Sequence, residues 1–289
     1  MRGGGLVHLM RRSDGSYHVG KFQNNFQNRR VLVNELLATI LAVRLGLPTT
    51  PIAIVDVREQ LIRLTPDAYI EMHHTRIPCQ PGLQFGSRYP ADPHRVTLLD
   101  FMPDKELLSV EHLNEFVGML VFDKWTCNTD GCPVIFDRPD ITAGYQAWMI
   151  DLGFCFNGAE WNCPDAPRRS LNFRTAGYEQ VRGIESIAPW LTGLQSEIGA
   201  ELLLEVAKTL PPERYELDSN SLRRLLERLD YRRKVVSQLL WSAWKSSPQV
   251  FPKWSERIGT EEETNHVTQI KSSLAVNCCT ERLALEPSY

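Results

Sequence analysis

Two segments of the sequence decide the fold. The first is Asp123-Lys124-Trp125-Thr126-Cys127-Asn128-Thr129-Asp130-Gly131, which follows an apolar stretch with helical periodicity. The second is Met149-Ile150-Asp151-Leu152-Gly153-Phe154, in which a carboxylate ends a short apolar strand. Each segment places an aspartate where a regular element gives way to a loop. Loops on a rigid scaffold are where functional groups usually project, so both aspartates are candidate site residues.

Three features precede these segments in a fixed order: Arg2-Gly3-Gly4-Gly5, then Lys21 near the end of a predicted strand, then Glu35 on a predicted helix. Amides of a glycine loop can approach phosphate oxygens closely because no Cβ intrudes. A lysine ammonium neutralises phosphate charge, and a helix glutamate can hold it by an ion pair. One aspartate can accept the hydrogen bond of an attacking hydroxyl while a second binds Mg²⁺. This order indicates phosphoryl transfer from ATP in a kinase fold.

The first hundred residues predict strands around one helix. Apolar runs at 6–10, 17–22 and 52–57 predict strands, with a hairpin turn at Asp14-Gly15 between the first two. Apolar residues at 32, 36, 40 and 43 predict one stripe on a helix that Gly46 ends. Residues 65–95 are rich in Pro, Gly and His and predict a loop. The apolar run 96–102, ended by Pro103, predicts a strand at a domain boundary.

Beyond that boundary the pattern is mostly helical. It predicts a helix from near Ser109, short strands at 134–136 and 147–150, a helix from Ser196 to 210, and another over 222–240. The fold class is therefore α+β, in a two-lobed, protein-kinase-like architecture. A small β-rich N-lobe would cover residues 1–100, a mostly helical C-lobe 101–245, and a loosely attached tail 246–289.

Composition excludes several other classes of protein. Of the 289 residues, 43% are apolar and 23% charged, which is ordinary for a globular chain and excludes wholesale disorder. The net charge of −3 does not indicate nucleic-acid binding, and no apolar run is long enough for a membrane span. Seven irregularly spaced cysteines and an N-terminus without an apolar signal core predict a cytoplasmic protein with reduced thiols.

On these segments the sequence resembles the HipA-like kinases and, more distantly, the type II phosphatidylinositol 4-kinases. The resemblance covers roughly residues 1–245. Besides the two aspartate segments, it is carried by Lys21-Phe22-Gln23-Asn24-Asn25, Val33-Asn34-Glu35-Leu36 and Phe85-Gly86-Ser87-Arg88-Tyr89-Pro90.

The resemblance implies a role for each candidate residue. Lys21 and Glu35 would form an ion pair in the cleft, Asp130 would be catalytic, and Asp151 would bind Mg²⁺. ATP would lie between the lobes. Its binding residues would come from the glycine loop, the ion pair and a hinge at 98–103, namely Gly3, Gly4, Gly5, Lys21, Glu35, Phe101 and Met102.

The register of the catalytic aspartate stays open between Asp130 and Asp123. The family usually has a metal-binding asparagine five residues after the catalytic aspartate. That position after Asp130 is Ile135, whereas counting from Asp123 gives Asn128. We favour Asp130 because its Thr-Asp-Gly context matches the family best and Asp123 falls on an apolar helix end. In this register Asn128 could still reach the metal from the other side.

The leading hypothesis is a HipA-like kinase that transfers the ATP γ-phosphate to a serine or threonine hydroxyl of an unidentified protein substrate. One alternative is a lipid or small-molecule phosphotransferase. A second is a nucleotide-binding pseudokinase or interaction module, which the absence of asparagine at position 135 favours.

Overall fold

The structure is a computed structural model that describes residues 7–24, 29–72, 75–131, 133–138, 140, 142–172, 174–211 and 218–255. The pattern of contacts between residues divides the chain into two compact units, Met1–Lys253 and Trp254–Tyr289. The predicted glycine loop at Gly3, Gly4 and Gly5 lies outside the described residues, as does the predicted tail from residue 256 onward. The predicted lobe boundary near residue 100 stays a prediction.

A β-rich first part is followed by a mostly helical second part, as the sequence predicts. In chain order the elements are β1 (Val7–Arg11), β2 (Tyr17–Lys21), α1 (Arg29–Arg44), β3 (Ile52–Val57), α2 (Glu59–Leu64), β4 (Tyr69–Met72), β5 (Thr75–Pro78), β6 (Gly82–Arg88), α3 (Asp104–Leu107), α4 (Glu115–Thr126), β7 (Val134–Asp137), β8 (Gln146–Met149), α5 (Ile184–Glu197), α6 (Ala200–Lys208) and α7 (Ser219–Ser246).

Four strands form an antiparallel sheet in the order β1-β2-β6-β3. The predicted hairpin between β1 and β2 is present, and Gly15 adopts the positive φ of +87° that its turn requires. The predicted loop over 65–95 is wrong, because β4, β5 and β6 all lie within it. Gly86 misled the prediction: a Cβ there would lie 2.8 Å from Val55 Cγ2, so the glycine permits close strand packing rather than a turn.

Helix α1 packs behind this sheet and is buried on more than one face. Leu37, Ala38 and Leu41 are fully buried, whereas Val43 of the predicted stripe is exposed. Three polar side chains, Asn34, Glu35 and Thr39, are also buried on this helix. Because α1 is surrounded, no single apolar stripe marks its packing face.

The second part is built around α4, whose residues from Phe116 to Thr126 are all buried. Helix α7 packs against it, and Trp125 Nε1 donates a hydrogen bond of 2.9 Å to the Leu229 carbonyl. The predicted helix start at Ser196 is wrong: α5 ends at Glu197, and α6 begins after Gly199. No helix among the described residues is long and apolar enough to cross a membrane.

Two other predicted features differ from the structure. The run 96–102 forms no strand, and Leu99 makes only an isolated bridge to Phe136 of β7. The predicted loose tail does not begin at residue 246. Val250 and Phe251 are buried, and the Phe251 ring stacks on Tyr178 with centroids 5.3 Å apart, so the main body extends through these residues.

Candidate active site

Lys21, at the end of β2, is held between two carboxylates. Its Nζ lies 2.8 Å from Glu35 Oε2 on α1 and makes a second ion pair with Asp151 Oδ1. Only 7% of Lys21 is exposed. The predicted ion pair between Lys21 and Glu35 is therefore present, and the Asp151 segment joins it.

The two carboxylates keep the Lys21 ammonium charged. Burial alone would lower the pKa of Lys21, but attraction to Glu35 and Asp151 outweighs burial and raises the pKa above its ordinary value. A buried cation at the wall of a cavity is a suitable partner for a polyanion.

Helix α1 also fixes the backbone that carries Asp151. Glu35 Oε1 accepts a hydrogen bond of 3.2 Å from the Leu152 amide. The Asn34 amide donates to three carbonyls of the following segment, those of Gly153, Cys155 and Gly158, at 2.9, 3.0 and 2.8 Å. This close approach explains the glycine of the Asp-x-Gly segment, since a Cβ on Gly153 would lie 2.6 Å from Val31 Cγ1.

Asp130 lies on the loop after α4 and faces the same cavity as Lys21 and Asp151. Helix α4 ends at Thr126, and Cys127, with a φ of +55°, turns the chain into this loop. The Thr129 amide then donates 3.1 Å to the Phe154 carbonyl, which ties the loop to the Asp151 segment. Burial, and then the nearby Asp151 carboxylate, raise the pKa of Asp130 against the opposing effect of Lys21.

Asp123 and Asn128 lie beneath this loop rather than at the cavity. Asp123 is 1% exposed and Asn128 is fully buried. Asn128 Nδ2 donates 2.9 Å to Asp123 Oδ1, and Asn128 Oδ1 accepts 3.1 Å from the Asp130 amide. Both ends of the Asn128 amide are therefore engaged in bracing the loop that presents Asp130. The structure does not bring Asp123 or Asn128 together with Lys21 and Asp151.

The cavity has a volume of about 460 Å³. Lys21, Glu35, Asp130 and Asp151 line it together with residues of β6, the segment after β6, the β7 strand and the segment 172–178. The apolar part of its wall consists of Val7, Val19, Leu107, Phe116, Leu120, Val134, Ile135, Phe136 and Ile150. A chamber of this size, with charged groups and apolar walls, can hold a nucleotide-sized ligand.

Only one of the two predicted hinge residues borders this cavity. Phe101 lines it and is exposed, whereas the side chain of Met102 is fully buried and does not line it. The Met102 carbonyl is engaged by the Arg174 guanidinium. The segment Ser87-Arg88-Tyr89-Pro90, by contrast, lines the cavity directly. The sequence pattern predicted a loop here, because Pro and Gly residues are frequent in the neighbouring sequence.

Several other lining residues had no sequence signal. Thr50 and Ser87 share a hydrogen bond between their hydroxyls at the cavity wall. Asn172, Arg174 and Tyr178 come from a non-periodic segment far along the chain. The pairing of β6 with β2 and β3, together with the packing of the helical part, brings these residues together.

The donor set can hold a divalent cation only with help from a ligand. The described residues contain no cluster of three or more His, Cys, Asp or Glu side chains able to hold a metal ion. Asp130 and Asp151 are carboxylates on one cavity, which suits Mg²⁺ completed by phosphate oxygens and water. Ile135, five residues after Asp130, lies on β7 with 4% exposure and offers no oxygen ligand from its side chain.

Comparisons with known proteins agree with this architecture. Residues 3–132 match the sequence pattern of a family described as HipA-like kinase, which is less than half of the chain. No curated protein sequence matches. The fold is similar to the crystal structure of a Helicobacter pylori proinflammatory kinase, CtkA, with a TM-score of 0.55 and 14% identity, over 86% of this chain and 94% of that one.

The crystal structure of the Golgi casein kinase is also similar, with a TM-score of 0.50 and 12% identity, over 85% of this chain and 73% of that one. At these identities the likeness concerns the fold, and the predicted kinase-like α+β architecture is confirmed. The family match and the shared fold support a kinase-like phosphotransferase, and the chain is similar to the HipA-like kinases over residues 3–132.

Proposed function

We propose that this protein transfers the γ-phosphate of ATP to a serine or threonine hydroxyl of a protein substrate. The observation that carries the proposal is the buried Lys21 ammonium, held by Glu35 and Asp151 at the wall of a cavity that Asp130 also faces. The choice of a protein hydroxyl as acceptor rests on the resemblance to HipA-like kinases.

In this proposal each charged residue has one task. Lys21 binds phosphate oxygens of ATP, and Glu35 holds the lysine in place. Asp151 would hold Mg²⁺, which when bound would supply positive charge at the phosphate groups. The raised pKa of Asp130 makes its carboxylate a somewhat stronger base than an ordinary aspartate.

The transfer itself is an exchange of one oxygen for another on the γ-phosphorus. The acceptor oxygen forms a bond to phosphorus while the bond to the β–γ bridging oxygen breaks, and ADP leaves. The acceptor hydroxyl donates its proton to the Asp130 carboxylate. The Asn128 side chain bonds the Asp123 carboxylate and accepts from the Asp130 amide. These buried contacts support the proposal, because they fix the loop that orients the Asp130 carboxylate.

We place the nucleotide base between two segments of the cavity wall. Ser87-Arg88-Tyr89-Pro90 offers the end of β6 and the hydroxyl pair of Ser87 with Thr50, and Phe101 offers an apolar ring on the other segment. This arrangement extends the sequence-based placement, which relied on residues 98–103 alone.

The test is transfer of labelled γ-phosphate from Mg²⁺-ATP by the full chain. The acceptors are the protein itself, protein and peptide mixtures, lipid vesicles and small polyols, followed by phosphoamino-acid analysis. We expect phosphoserine or phosphothreonine with the wild type and none with Asp130→Ala. Labelling confined to lipid or to a small molecule would contradict the assigned acceptor class.

A second candidate is a nucleotide-binding protein without turnover. Ile135 supports it, because this apolar residue stands where the family usually has a metal-binding asparagine. One experiment distinguishes the two candidate functions. Mg²⁺-dependent ATP binding with no transfer to any acceptor favours the nucleotide-binding protein without turnover.

A further inference from the structure

We propose that the side-chain amide of Asn172 donates a hydrogen bond to the terminal phosphoryl group of the bound nucleotide. The inference rests on the proposed function, since it assumes that the cavity holds ATP. It assigns a binding role to Asn172, which belongs to none of the sequence motifs and lies outside the matched family region, residues 3–132.

Asn172 lies next to the loop that carries Asp130. The loop that carries Asp130 packs directly on this segment: a Cβ built on Gly131 would lie 3.6 Å from the Leu171 carbonyl oxygen. Asn172 is the next residue, and it lines the same cavity as Lys21, Asp130 and Asp151. Asn172 therefore borders the charged part of the cavity, where the phosphates would lie.

Of the two ends of the Asn172 side-chain amide, the nitrogen is the one available to a ligand. Asn172 Oδ1 accepts a hydrogen bond of 3.1 Å from the Arg174 amide, and the backbone amide of Asn172 donates 3.0 Å to the Tyr178 hydroxyl. Among the described residues, no acceptor engages Asn172 Nδ2. The group left for a ligand is thus an N–H donor, which suits an anionic oxygen.

Contacts of the Arg174 side chain hold the Asn172 side chain in place. Arg174 donates to Asp104 Oδ1 from Nε at 3.1 Å and from Nη2 at 2.7 Å, and its guanidinium lies 4.9 Å from the centroid of the Phe101 ring. Because Arg174 is fixed at its far end, the Asn172 side chain that bonds its amide is held in one orientation. A fixed donor loses less conformational entropy when it binds a ligand.

Charge also favours a neutral donor at this place. Glu35, Asp100, Asp130 and Asp151 place four carboxylates at a cavity that must accept a polyphosphate, and the cations that line it are Lys21, Arg88 and Arg174. Lys21 is shared by two of the carboxylates. The Asn172 amide offers a donor to phosphate oxygens without adding another negative charge.

The test compares ATP and ADP affinity by calorimetry in the presence of Mg²⁺, because only ATP carries the terminal phosphoryl group. In Asn172→Ala we expect ATP affinity to fall about tenfold, with ADP affinity changed about twofold at most. Asn172→Asp keeps an oxygen for the Arg174 amide but replaces the donor by a charge, so its ATP affinity should fall further. Asn162→Asp is the matched control, since Asn162 is exposed and does not line the cavity.

Three results would overturn the inference. An unchanged ratio of ATP to ADP affinity in both variants means that the amide does not touch the terminal phosphoryl group. Normal binding in Asn172→Asp with a loss in Asn172→Ala means that the side chain only stabilises its turn. Tighter ATP binding in Asn172→Asp means that an oxygen at this position, rather than a donor, meets the bound metal.

The same measurements separate this inference from the proposed function. A wild type that binds ATP but transfers no phosphate contradicts the proposed function, while the affinity ratio still decides on Asn172. A wild type that binds neither nucleotide contradicts both.

Discussion

The two lysines that are buried in the described part of the chain lie in regions of opposite character. Lys21 is 7% exposed and Lys124 is 3% exposed, so burial does not distinguish them. Lys21 faces a cavity and is paired with two carboxylates. Lys124, on α4, does not line that cavity and donates to the carbonyls of Ala166, Pro167 and Arg169 at 3.3, 2.8 and 2.7 Å.

Their partners give the two lysines opposite pKa shifts. The carboxylates raise the pKa of Lys21 despite its burial, whereas burial, with repulsion from Arg232, lowers the pKa of Lys124 to about 8. A buried lysine is thus suited to a ligand when carboxylates hold it charged beside open space. A buried lysine is suited to a structural role when backbone carbonyls accept its hydrogen bonds. The same division separates Asp130, at the cavity, from Asp123, which is buried next to Lys124 in the chain.

The largest effect should come from the two aspartates. We expect Asp130→Ala to lower phosphoryl transfer by about 10²- to 10⁴-fold, the range of a lost general base, while ATP affinity stays within about threefold. Asp123→Ala should chiefly lower the free energy of unfolding, by about 1 to 3 kcal/mol, because it leaves the buried Asn128 amide without its carboxylate.

Transfer rates, ATP affinity and urea denaturation of both variants check this contrast. Asp137→Ala on β7 is unsuitable as a control because Asp137 accepts a hydrogen bond from Trp148, so the exposed Asp140→Ala is used instead. A stable, inactive Asp123 variant beside an active Asp130 variant would reverse the register.

The two lysines test the contrast directly. Lys21→Met should weaken ATP binding about 10- to 100-fold, since a hydrogen bond to a charged group is lost, and change stability less. Lys124→Met should leave ATP affinity almost unchanged. It should lower the free energy of unfolding by about 1 to 3 kcal/mol, because three partly buried carbonyls lose their donor. Calorimetry and denaturation measure both quantities, and the reverse pattern would assign Lys21 to structure and Lys124 to binding.

The third prediction concerns Asp151, whose side chain is 40% exposed at the cavity. Asp151→Asn should reduce the enhancement of ATP binding by Mg²⁺ about tenfold and leave metal-free ATP binding nearly intact, because the amide is a poorer ligand for a hard cation. Titration of ATP with and without Mg²⁺ gives the result. Equal Mg²⁺ dependence in the variant and the wild type would remove Asp151 from the metal site.

The elements of the fold that the sequence predicted correctly are those with local signals. The β1–β2 hairpin, α1 and the long helix α7 each carry a turn motif or a periodic apolar pattern, and all three are present. Strand β6 was missed because Gly86 serves close packing between strands rather than a turn. Helix α5 was missed because Pro189 and Gly193 interrupt its pattern, although its tertiary contacts stabilise it.

The candidate site divides in the same way. Lys21, Glu35, Asp130 and Asp151 could be found because their order along the chain matches a known set of parts. Asn172 and Thr50 could not, because their position at the cavity depends on contacts between segments distant in sequence. The burial of Met102 and Asn128 also had no local signal: the Met102 carbonyl accepts from Arg174, far along the chain, and the Asn128 side chain bonds within its own loop.

The smallest effect follows from the pKa of Lys124 and concerns stability against pH. Lys124 has a pKa of about 8 in the folded protein, lowered from an ordinary value of 10.5 by burial and by Arg232. Between these two values the unfolded chain binds a proton that the folded protein has released, so the stability contribution of Lys124 rises with pH. Lys21 adds no such slope there, because its folded pKa is raised and its contribution is constant below its unfolded value.

We therefore expect the difference in unfolding free energy between the wild type and Lys124→Met to grow by about 1 kcal/mol per pH unit between about pH 8 and pH 10. Urea denaturation at three pH values in this range measures it. The other charged or titratable groups that act on Lys124, namely Arg232, Cys127 and Asp165, are present in both proteins, so the difference isolates Lys124. A difference that stays constant over this pH range would mean that the three carbonyls keep the ammonium charged. Lys124 would then resemble Lys21 in charge and differ from it only in what it faces.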